Sequence, residues 1–388
     1  MAENRQFDIA IIGTGITGLS AAHHLLRLGT RRLCFFSDQH GVSTTQHSAG
    51  LIIAGLMDNI TRMAHRHGHG IAQEVWEWSS LAYDRTLEFC QHFNIDQHSG
   101  QRVRWIFTPD ELQEAQSAEK IFHDLGFSTE LKVSRSLSSE DCHPVGLLAT
   151  QDEGHKASAV NLHSFLNALE HNCASVPRLS KVISLVQTAD GILIRDSNSQ
   201  EYLVEAVILA NHLAIAELLP SLKPALVSYA DQWHEFDLKQ DLSNIGLSQG
   251  TYFSWKHAHY WGGVVGPNRI RLGGARYLRP LAGFEAQNAD LLSTVEENLR
   301  ESWHRLFPDN PIIISNASGA GLDCWPCDEL PIVGPMFGEP RILVATGYMG
   351  LGTAMGFYAG CCVAELIQGL RPPLPRSLWP ERLRTLAP

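Results

Sequence analysis

The chain has no long apolar run. No stretch of its 388 residues approaches the roughly 18 consecutive apolar side chains that cross a bilayer, so no membrane span is expected. Basic residues are the scarcer charge: 30 Lys and Arg against 41 Asp and Glu leave a formal charge of −11 at pH 7. A general nucleic-acid binder needs the opposite balance, and no basic tail supplies it. Only 8 cysteines occur, and the opening MAENRQ has neither a charged leader region nor a leader-length apolar core. A disulfide framework is therefore not expected, and a soluble cytoplasmic protein is. Internal repeats and low-complexity tracts are also missing. At 44% hydrophobic and 18% charged residues, the composition excludes a disordered or fibrous chain, and the length allows two cores of ordinary size.

What is present is concentrated first at DIAIIGTGITGLSAAHHLL, Asp8 to Leu26. An apolar strand runs into Gly13-x-Gly15-x-x-Gly18 and then into a helically periodic segment. Gly13 permits the tight turn, Gly15 lets backbone approach a pyrophosphate, and Gly18 lets helix and strand pack closely. The phosphates would meet the free N–H groups and positive dipole end of the helix. The same spacing also occurs in turns that bind nothing, but strand, turn and helix together predict a dinucleotide site. A second strand spans residues 31 to 37, and Asp38, twenty positions after Gly18, is placed to bind ribose hydroxyls.

Further along, residues 41 to 52 form a loop of small and hydroxyl residues, and 71 to 93 read as an amphipathic helix with Trp76, Leu87 and Phe89 toward the core. A more polar region follows, 102 to 142, with a helix after Thr108. Ala159 to Glu170 reads as another helix, 178 to 187 as a strand, Asp190-Gly191 as a hairpin turn and 203 to 211 as an apolar parallel strand. From Tyr229 to Gly274 the pattern alternates and is aromatic-rich, as in an antiparallel sheet. A last apolar strand, a glycine-rich turn and a long helix end the chain. Nucleotide-type elements thus stand at both ends, which predicts two interleaved domains.

Two groups suggest other chemistry. Cys324 and Cys327, in CWPC, have the spacing of a redox dithiol or half a zinc site, or are two separate small side chains. His65, His67 and His69 alternate, as do His257 and His259, which would put each set on one face of a strand. No carboxylate or cysteine lies near either set in sequence, and no metal is expected.

Taken in order, GTGITG, STTQHSAGL, SAVNLHSFLNAL, the strand ending VILAN, RIRLGG, DELPIVGP and ATGYMGLGTAMG resemble the D-amino acid oxidase superfamily of FAD-dependent amine oxidoreductases. That group holds glycine oxidase, sarcosine oxidases, dimethylglycine dehydrogenase and γ-glutamylputrescine oxidase. The resemblance covers nearly the whole chain. It implies an α/β fold in which a Rossmann-like FAD-binding domain (1–85, 145–225 and 318–388) is interleaved with an α+β substrate domain (86–144 and 226–317) on a mixed or antiparallel sheet. It implies FAD as cofactor, held by Gly13, Gly15, Ile16, Thr17, Gly18 and Asp38, by Thr44, Thr45, His47, Ala49, Gly50 and Leu51 in the loop, and by Val182. Gly347, Tyr348, Met349, Gly350, Leu351, Gly352 and Thr353 would line the flavin ring. Gly347, Gly350, Gly352 and Gly356 surround the start of the last helix, where missing side chains let backbone approach a flat ligand.

His47 matches the histidine of TWHAAGL in dimethylglycine and sarcosine dehydrogenases, which carries FAD covalently; here a noncovalent contact is the expectation. Ser37 falls where the family has a glutamate, leaving Asp38 as substitute, and Asn211 replaces a glycine. The family's substrate-binding arginine in G-L-R-P is Asp323, which would repel a carboxylate and favour a cationic amine, or else points away from the pocket. Arg271 stands where monomeric sarcosine oxidases keep a lysine tied to oxygen activation; it would stabilise developing superoxide, or be a solvated strand residue. Tyr252, His259, Tyr260 and Met349 complete the expected reaction pocket. The implied reaction is oxidation of a primary or secondary amine or amino acid to an imine. The implied partners are that small amine and O2 or an electron-acceptor protein, with homo- or hetero-oligomeric assembly left open. One alternative is a dehydrogenase passing electrons to a partner protein or quinone; a flavin-binding subunit without turnover is the alternative from a different class.

Overall fold

Side chains alternate between two cores along the first strand, Ile9–Ile12: Ile9 and Ile11 enter one, Ala10 and Ile12 the other. The strand Leu33–Phe36 does the same, Leu33 and Phe35 against Cys34 and Phe36. Strands buried on both faces belong in the middle of a parallel sheet. They lie there in the computed structural model, which describes residues 6–38, 44–57, 59–133, 144–153, 156–278 and 291–386.

That six-stranded sheet runs Ile332–Met336, Glu339–Thr346, Ala206–Leu209, Ile9–Ile12, Leu33–Phe36, Arg178–Leu179. All neighbours are parallel except the edge strand Ile332–Met336. Helices Ile16–Arg27 and Gly352–Ile367 pack together on one face through small residues. A Cβ on Gly360 would stand 2.4 Å from the Thr17 carbonyl oxygen, and Ser20 Oγ donates to the Phe357 carbonyl at 2.6 Å.

The predicted strand 178 to 187 divides in two. Arg178–Leu179 joins the parallel sheet, while Val182–Gln187 begins an antiparallel meander with Ile192–Asp196 and Glu201–Val204, turned at Gly191. The apolar segment 203 to 211 divides likewise between the meander and Ala206–Leu209. The helix expected from Ala159 starts later, as Leu162–Asn172, because Asn161 caps it by accepting from Ser164 N at 3.0 Å and Ala157–Val160 is a strand. Helix His69–His92 buries Trp76 and Phe89 as expected, and Thr108 with Glu111 forms a capping box on Pro109–Asp124.

The second large sheet has eight strands: Ile312–Pro326, Leu226–Leu238, Arg269–Gly274, Tyr260–Gly266, Tyr252–Trp255, Arg102–Ile106, Ala149–Asp152 and Glu130–Val133. It is mixed, since Tyr252–Trp255 pairs parallel with Arg102–Ile106. It crosses the predicted domain limits at two places. Ala149–Asp152 pairs with Arg102–Ile106, and Ile312–Pro326 pairs with Leu226–Leu238 through most of its length. Helix Ser293–Leu306 closes a separate core on one face, around Phe236, Phe253 and Trp303. The other face turns toward the parallel sheet. Among the described residues no helix is long and apolar enough to cross a membrane.

Candidate functional site

Between the two sheets lies a cavity of about 700 Å³. One end is built by the N-terminal turn. Gly13 has φ +110, and a Cβ there would lie 2.4 Å from the Ala210 carbonyl oxygen, so only glycine fits. Helix Ile16–Arg27 starts at Gly15 with no side-chain cap, leaving N–H groups for an anion, although Ile16 N donates to Thr45 Oγ1 at 3.3 Å. Gly13, Gly15, Ile16 and Thr17 line the cavity. Gly18 sits beneath it, where a Cβ would meet Gly13 O at 2.0 Å, so its role is close packing of helix on strand.

Asp38, Lys181 and Val182 line the same end, with Asp38 Oδ2 3.7 Å from Lys181 Nζ. Among the described residues the Asn211 Oδ1 is buried without a partner on this wall. Beside it, His212 Nε2 faces the Leu322 carbonyl at 2.8 Å, and burial lowers its pKa. Asn211 stands where the resemblance expects a glycine, and the left-handed φ falls on the next residue, His212, at 57°.

At the other end, Tyr348, Met349, Gly350, Leu351, Gly352 and Thr353 line the cavity ahead of the last helix. Thr17 Oγ1 donates to Tyr348 Oη at 3.2 Å, and Ser48 Oγ lies 3.1 Å from Thr353 Oγ1, so the two turns and the loop are tied together. Gly347 is set back, its φ of +79 serving the turn and its α-carbon packed on Pro326, where a Cβ would meet Cγ at 2.5 Å. Gly356 is also not at the cavity: a Cβ would lie 2.8 Å from Thr17 Oγ1, so helix contact, and not approach of a flat ligand, explains it.

The third wall is one face of the eight-stranded sheet. Register puts Tyr252 with Gly263 and Arg271, Trp261 with Gly273 and Trp233, Trp233 with Gly319, Asp231 with Gly321, and Tyr229 with Asp323. Large side chains thus alternate with glycines on this face, and the glycines make room. Leu51 fills the place over Gly263, where a Cβ would meet its Cδ2 at 2.5 Å. The turn Thr44–His47 lies over Gly321, whose Cβ would come 3.4 Å from Thr44 Cγ2. Thr44, Thr45, His47, Ala49 and Leu51 reach the cavity. Gly50 does not; its φ of +65 shapes the loop against Val160.

Among the expected reaction residues, Tyr252, Asp323 and Met349 come together on the cavity. Tyr252 is buried and its phenol pKa is raised by desolvation, its hydroxyl 3.7 Å from Met57 Sδ. Burial first, and then Asp231, push Asp323 up to about 7, against the opposing effect of Arg276 and the Trp325 indole. Asp323 lines the cavity, its Oδ2 3.5 Å from where a Cβ on Gly350 would stand. Sequence reasoning missed Asp231, Trp261 and Arg276. Arg276 follows the Gly273-Gly274-Ala275 kink, where Gly274 has φ +112 and Ala275 φ 53, which swings the chain off the strand and brings the guanidinium to the cavity. It pairs with Asp231 at 3.3 Å and lies 4.9 Å over the Trp325 ring. The RLGGAR string carried that signal: a strand ended by two glycines and then a cation.

Three of the expected reaction residues are corrected. Tyr260 does not line the cavity; it is buried in the separate core, stacked on Trp255 at 5.0 Å, with its hydroxyl 2.7 Å from both Tyr277 Oη and Asn298 Oδ1. His259 is exposed in the turn after Trp255, away from the cavity, so it and His257 do not alternate along a strand. Arg271 is outside the cavity, behind the loop: it pairs with Glu235 at 2.9 Å, donates to the Ala49 carbonyl and lies 5.2 Å over Trp233. His65 and His67 lie on helix Ile60–His67 and His69 opens the next helix, because Gly68, with φ 85, breaks the run. Among the described residues no group of three or more His, Cys, Asp or Glu is placed to hold a metal. Cys324 is buried and its thiol pushed up to about 12 by desolvation, while Cys327 is exposed; neither is in a disulfide. Ser43 lies outside the described residues.

A cavity of about 700 Å³, in the roughly 300–1,000 Å³ range of ligand sites, with an uncapped helix start and a Cβ-forbidding turn in its wall, fits a dinucleotide. Residues 8–366 match the family described as FAD dependent oxidoreductase, DAO. A Bacillus subtilis (strain 168) protein named as a Rieske 2Fe-2S iron-sulfur protein, YhfW, is 22% identical over 391 residues, which cover 98% of this chain and 72% of that one. Glycine oxidase from Geobacillus kaustophilus has a similar structure, with TM-score 0.72, 15% identity and 97% and 98% of the two chains covered. L-proline dehydrogenase from P. horikoshii superposes with TM-score 0.76 at 13% identity, over 98% of each chain.

Proposed function

Because the chain belongs to the DAO family of FAD-dependent oxidoreductases, we propose that it oxidises the C–N single bond of a primary or secondary amine or amino acid to an imine, which water hydrolyses. The observation that carries this reading is the continuity of one cavity from the Gly13–Thr17 turn, past the Tyr348–Thr353 turn, to a wall bearing Asp231, Arg276 and Asp323. The names of two structural neighbours, glycine oxidase and L-proline dehydrogenase, support an amino-acid substrate.

FAD supplies the two-electron acceptor when bound. Gly13, Gly15, Ile16 and Thr17 would hold its pyrophosphate, Asp38 and Val182 the adenosine half, and Thr44, Thr45 and Tyr348 to Thr353 the remainder. The chain's own part is to exclude water and hold the reacting C–H in line, through the buried Tyr252, Trp261 and Met349. Noncovalent FAD is the reading here. His47 lines the cavity, so the alternative of attachment is open to a direct test: flavin colour that leaves with the supernatant on acid precipitation supports noncovalent binding, and colour in the pellet overturns it.

Reoxidation by O2 with release of H2O2 completes the proposed cycle. A second reading sends the electrons to an iron–sulfur partner, favoured by the relative named for a 2Fe-2S protein, of which this chain covers 72%. Free thiols at Cys34, Cys90 and Cys173, among others, support a reducing, cytoplasmic setting. Anaerobic mixing of the holoprotein with a panel of amines and amino acids tests the oxidation: bleaching by at least one supports it, and bleaching by none sinks it. Admission of air then separates the acceptors, since rapid return of colour with H2O2 favours oxygen and persistent bleaching favours a partner.

A further inference from the structure

The charged wall of the cavity is unlike a plain cation site. Asp231 already holds Arg276 at 3.3 Å, and among the described residues Asp323 has no ion pair within 4.0 Å. Its Oδ2 would be 3.5 Å from a Cβ on Gly350, so the carboxylate stands against the glycine turn at the heart of the cavity. Trp261, on the same sheet face and only 9% exposed, lines the cavity with part of its ring. Arg276 faces the same space and brings guanidinium donors to it. The wall therefore offers a cation for an anionic group and, separately, a carboxylate for a cationic one.

We propose that Asp323 is the amine anchor of this cavity, binding the substrate's ammonium and taking one of its protons, while Arg276 holds a carboxylate on the same substrate. This rests on the oxidation reading and narrows it to zwitterionic amino acids. In the proton step one N–H bond of the ammonium breaks, its electron pair stays on nitrogen as the lone pair, and an O–H bond forms on Asp323. With the nitrogen neutral, its lone pair is free to close the C=N bond as the C–H electron pair leaves for the two-electron acceptor that FAD would supply. A carboxylate buried beside Asp231 is less acidic than usual, which suits it to that proton. The other titratable groups on this part of the cavity are Asp231 and Tyr252 on the sheet, Arg276 just beyond its strand, His47 on the loop turn and Tyr348 on the glycine turn.

The test uses three unreactive probes on the holoprotein, each lacking hydrogen on the relevant carbon: 2-aminoisobutyrate, tert-butylammonium and pivalate. Binding is read from the visible spectrum of the flavin. At about pH 8, Asp323→Asn is expected to weaken 2-aminoisobutyrate and tert-butylammonium by roughly 10- to 100-fold and to leave pivalate no weaker; Arg276→Gln should weaken pivalate and spare tert-butylammonium. In the unaltered protein, tert-butylammonium should bind less tightly as pH falls through neutrality, a readout that needs no variant. Reduction by a reactive amino acid should recover in Asp323→Asn only above about pH 10, where an alkylamine is itself neutral. Unchanged tert-butylammonium affinity in Asp323→Asn, or pH-independent affinity in the unaltered protein, overturns the anchor. Probe binding in this pattern with no flavin reduction by any amine would overturn the oxidation reading and leave the anchor standing; reduction without the pattern does the reverse.

Discussion

The Trp233 indole N–H donates to the His47 carbonyl at 2.6 Å, joining the eight-stranded sheet to the loop turn at the edge of the cavity. Gly319 makes this contact fit, since a Cβ there would stand 2.6 Å from Trp233 Nε1. Trp233→Phe removes the donor together with part of the indole bicycle while keeping an aromatic face toward Arg271. A neutral hydrogen bond contributes about 1 kcal/mol net, so FAD affinity should fall roughly 3- to 10-fold with the fold intact. Fluorescence titration of apoprotein with FAD measures it, and an unchanged dissociation constant would detach this bond from cofactor binding.

Gly13 offers a sharper contrast. Gly13→Ala drives a methyl to 2.4 Å from the Ala210 carbonyl at a φ of +110, whereas Gly29→Ala, at φ +96, has nothing within 4 Å. Both substitutions carry left-handed strain, of order 1–2 kcal/mol. Only the first shifts the turn that faces the cavity. Gly13→Ala is expected to purify without flavin and Gly29→Ala with it; equal flavin content in the two would show that the turn is not part of the site.

These positions mark how far local sequence carries. The N-terminal strand, turn and helix were legible because each step is encoded within a few residues: buried alternation, a glycine that must take positive φ, then helical periodicity. The loop from Thr44 and the turn from Tyr348 were legible through resemblance and lie on the same cavity. What stayed hidden depends on where a strand ends. Period two was read along His257 and His259, but the strand begins only at Tyr260 and both histidines lie in the turn before it. Arg271 shares a sheet face with Tyr252 and still misses the cavity, because the Ala49 carbonyl and the loop cover it. Arg276 reaches the cavity only through a kink after Gly273. A glycine at Gly356 reads the same whether it admits a ligand or a neighbouring helix; only the contact with Thr17 decides.

Acid should weaken the fold through the helix that begins at Gly15. His23, 6% exposed against Phe89, is lowered to about 4 by burial first and then by Arg27 and His92; His24, 3.3 Å from Cys361 Sγ, is lowered to about 4 by burial and then by His23. Both are neutral in the folded chain, while the unfolded chain titrates near 6.5. Between those values the unfolded state binds the protons, so stability is present above 6.5 and is lost as pH falls toward 4. The loss from His23 amounts to roughly 3 kcal/mol at most. Urea midpoints measured from pH 7 down to about 4.5 should fall, and the slope should flatten in His23→Leu. A midpoint independent of pH in this window would contradict the buried neutral pair.

Glu153 offers the largest expected effect outside the cavity. Its carboxylate is 3% exposed and pairs with two arginines that are themselves almost buried, Arg102 at 2.7 Å and Arg104 at 3.1 Å. Arg102 in turn donates to the carbonyls of Ala54 and Leu56 and lies 5.4 Å over Trp76, so it holds the chain just before Met57, a residue of the cavity wall. Glu153→Gln would leave two buried guanidinium groups without a counter-charge, and removing one partner of such a cluster costs about 3–5 kcal/mol. Arg102→Met and Arg104→Met together with Glu153→Gln would remove the stranded charges and should recover much of that loss, since the apolar stems can pack on Trp76. The two variants separate charge from architecture. Urea unfolding gives the stability of each, and FAD titration tells whether the triple variant, with the Ala54 and Leu56 carbonyls freed, still forms the cavity; full recovery of both would show that Arg102 positions nothing and only answers Glu153.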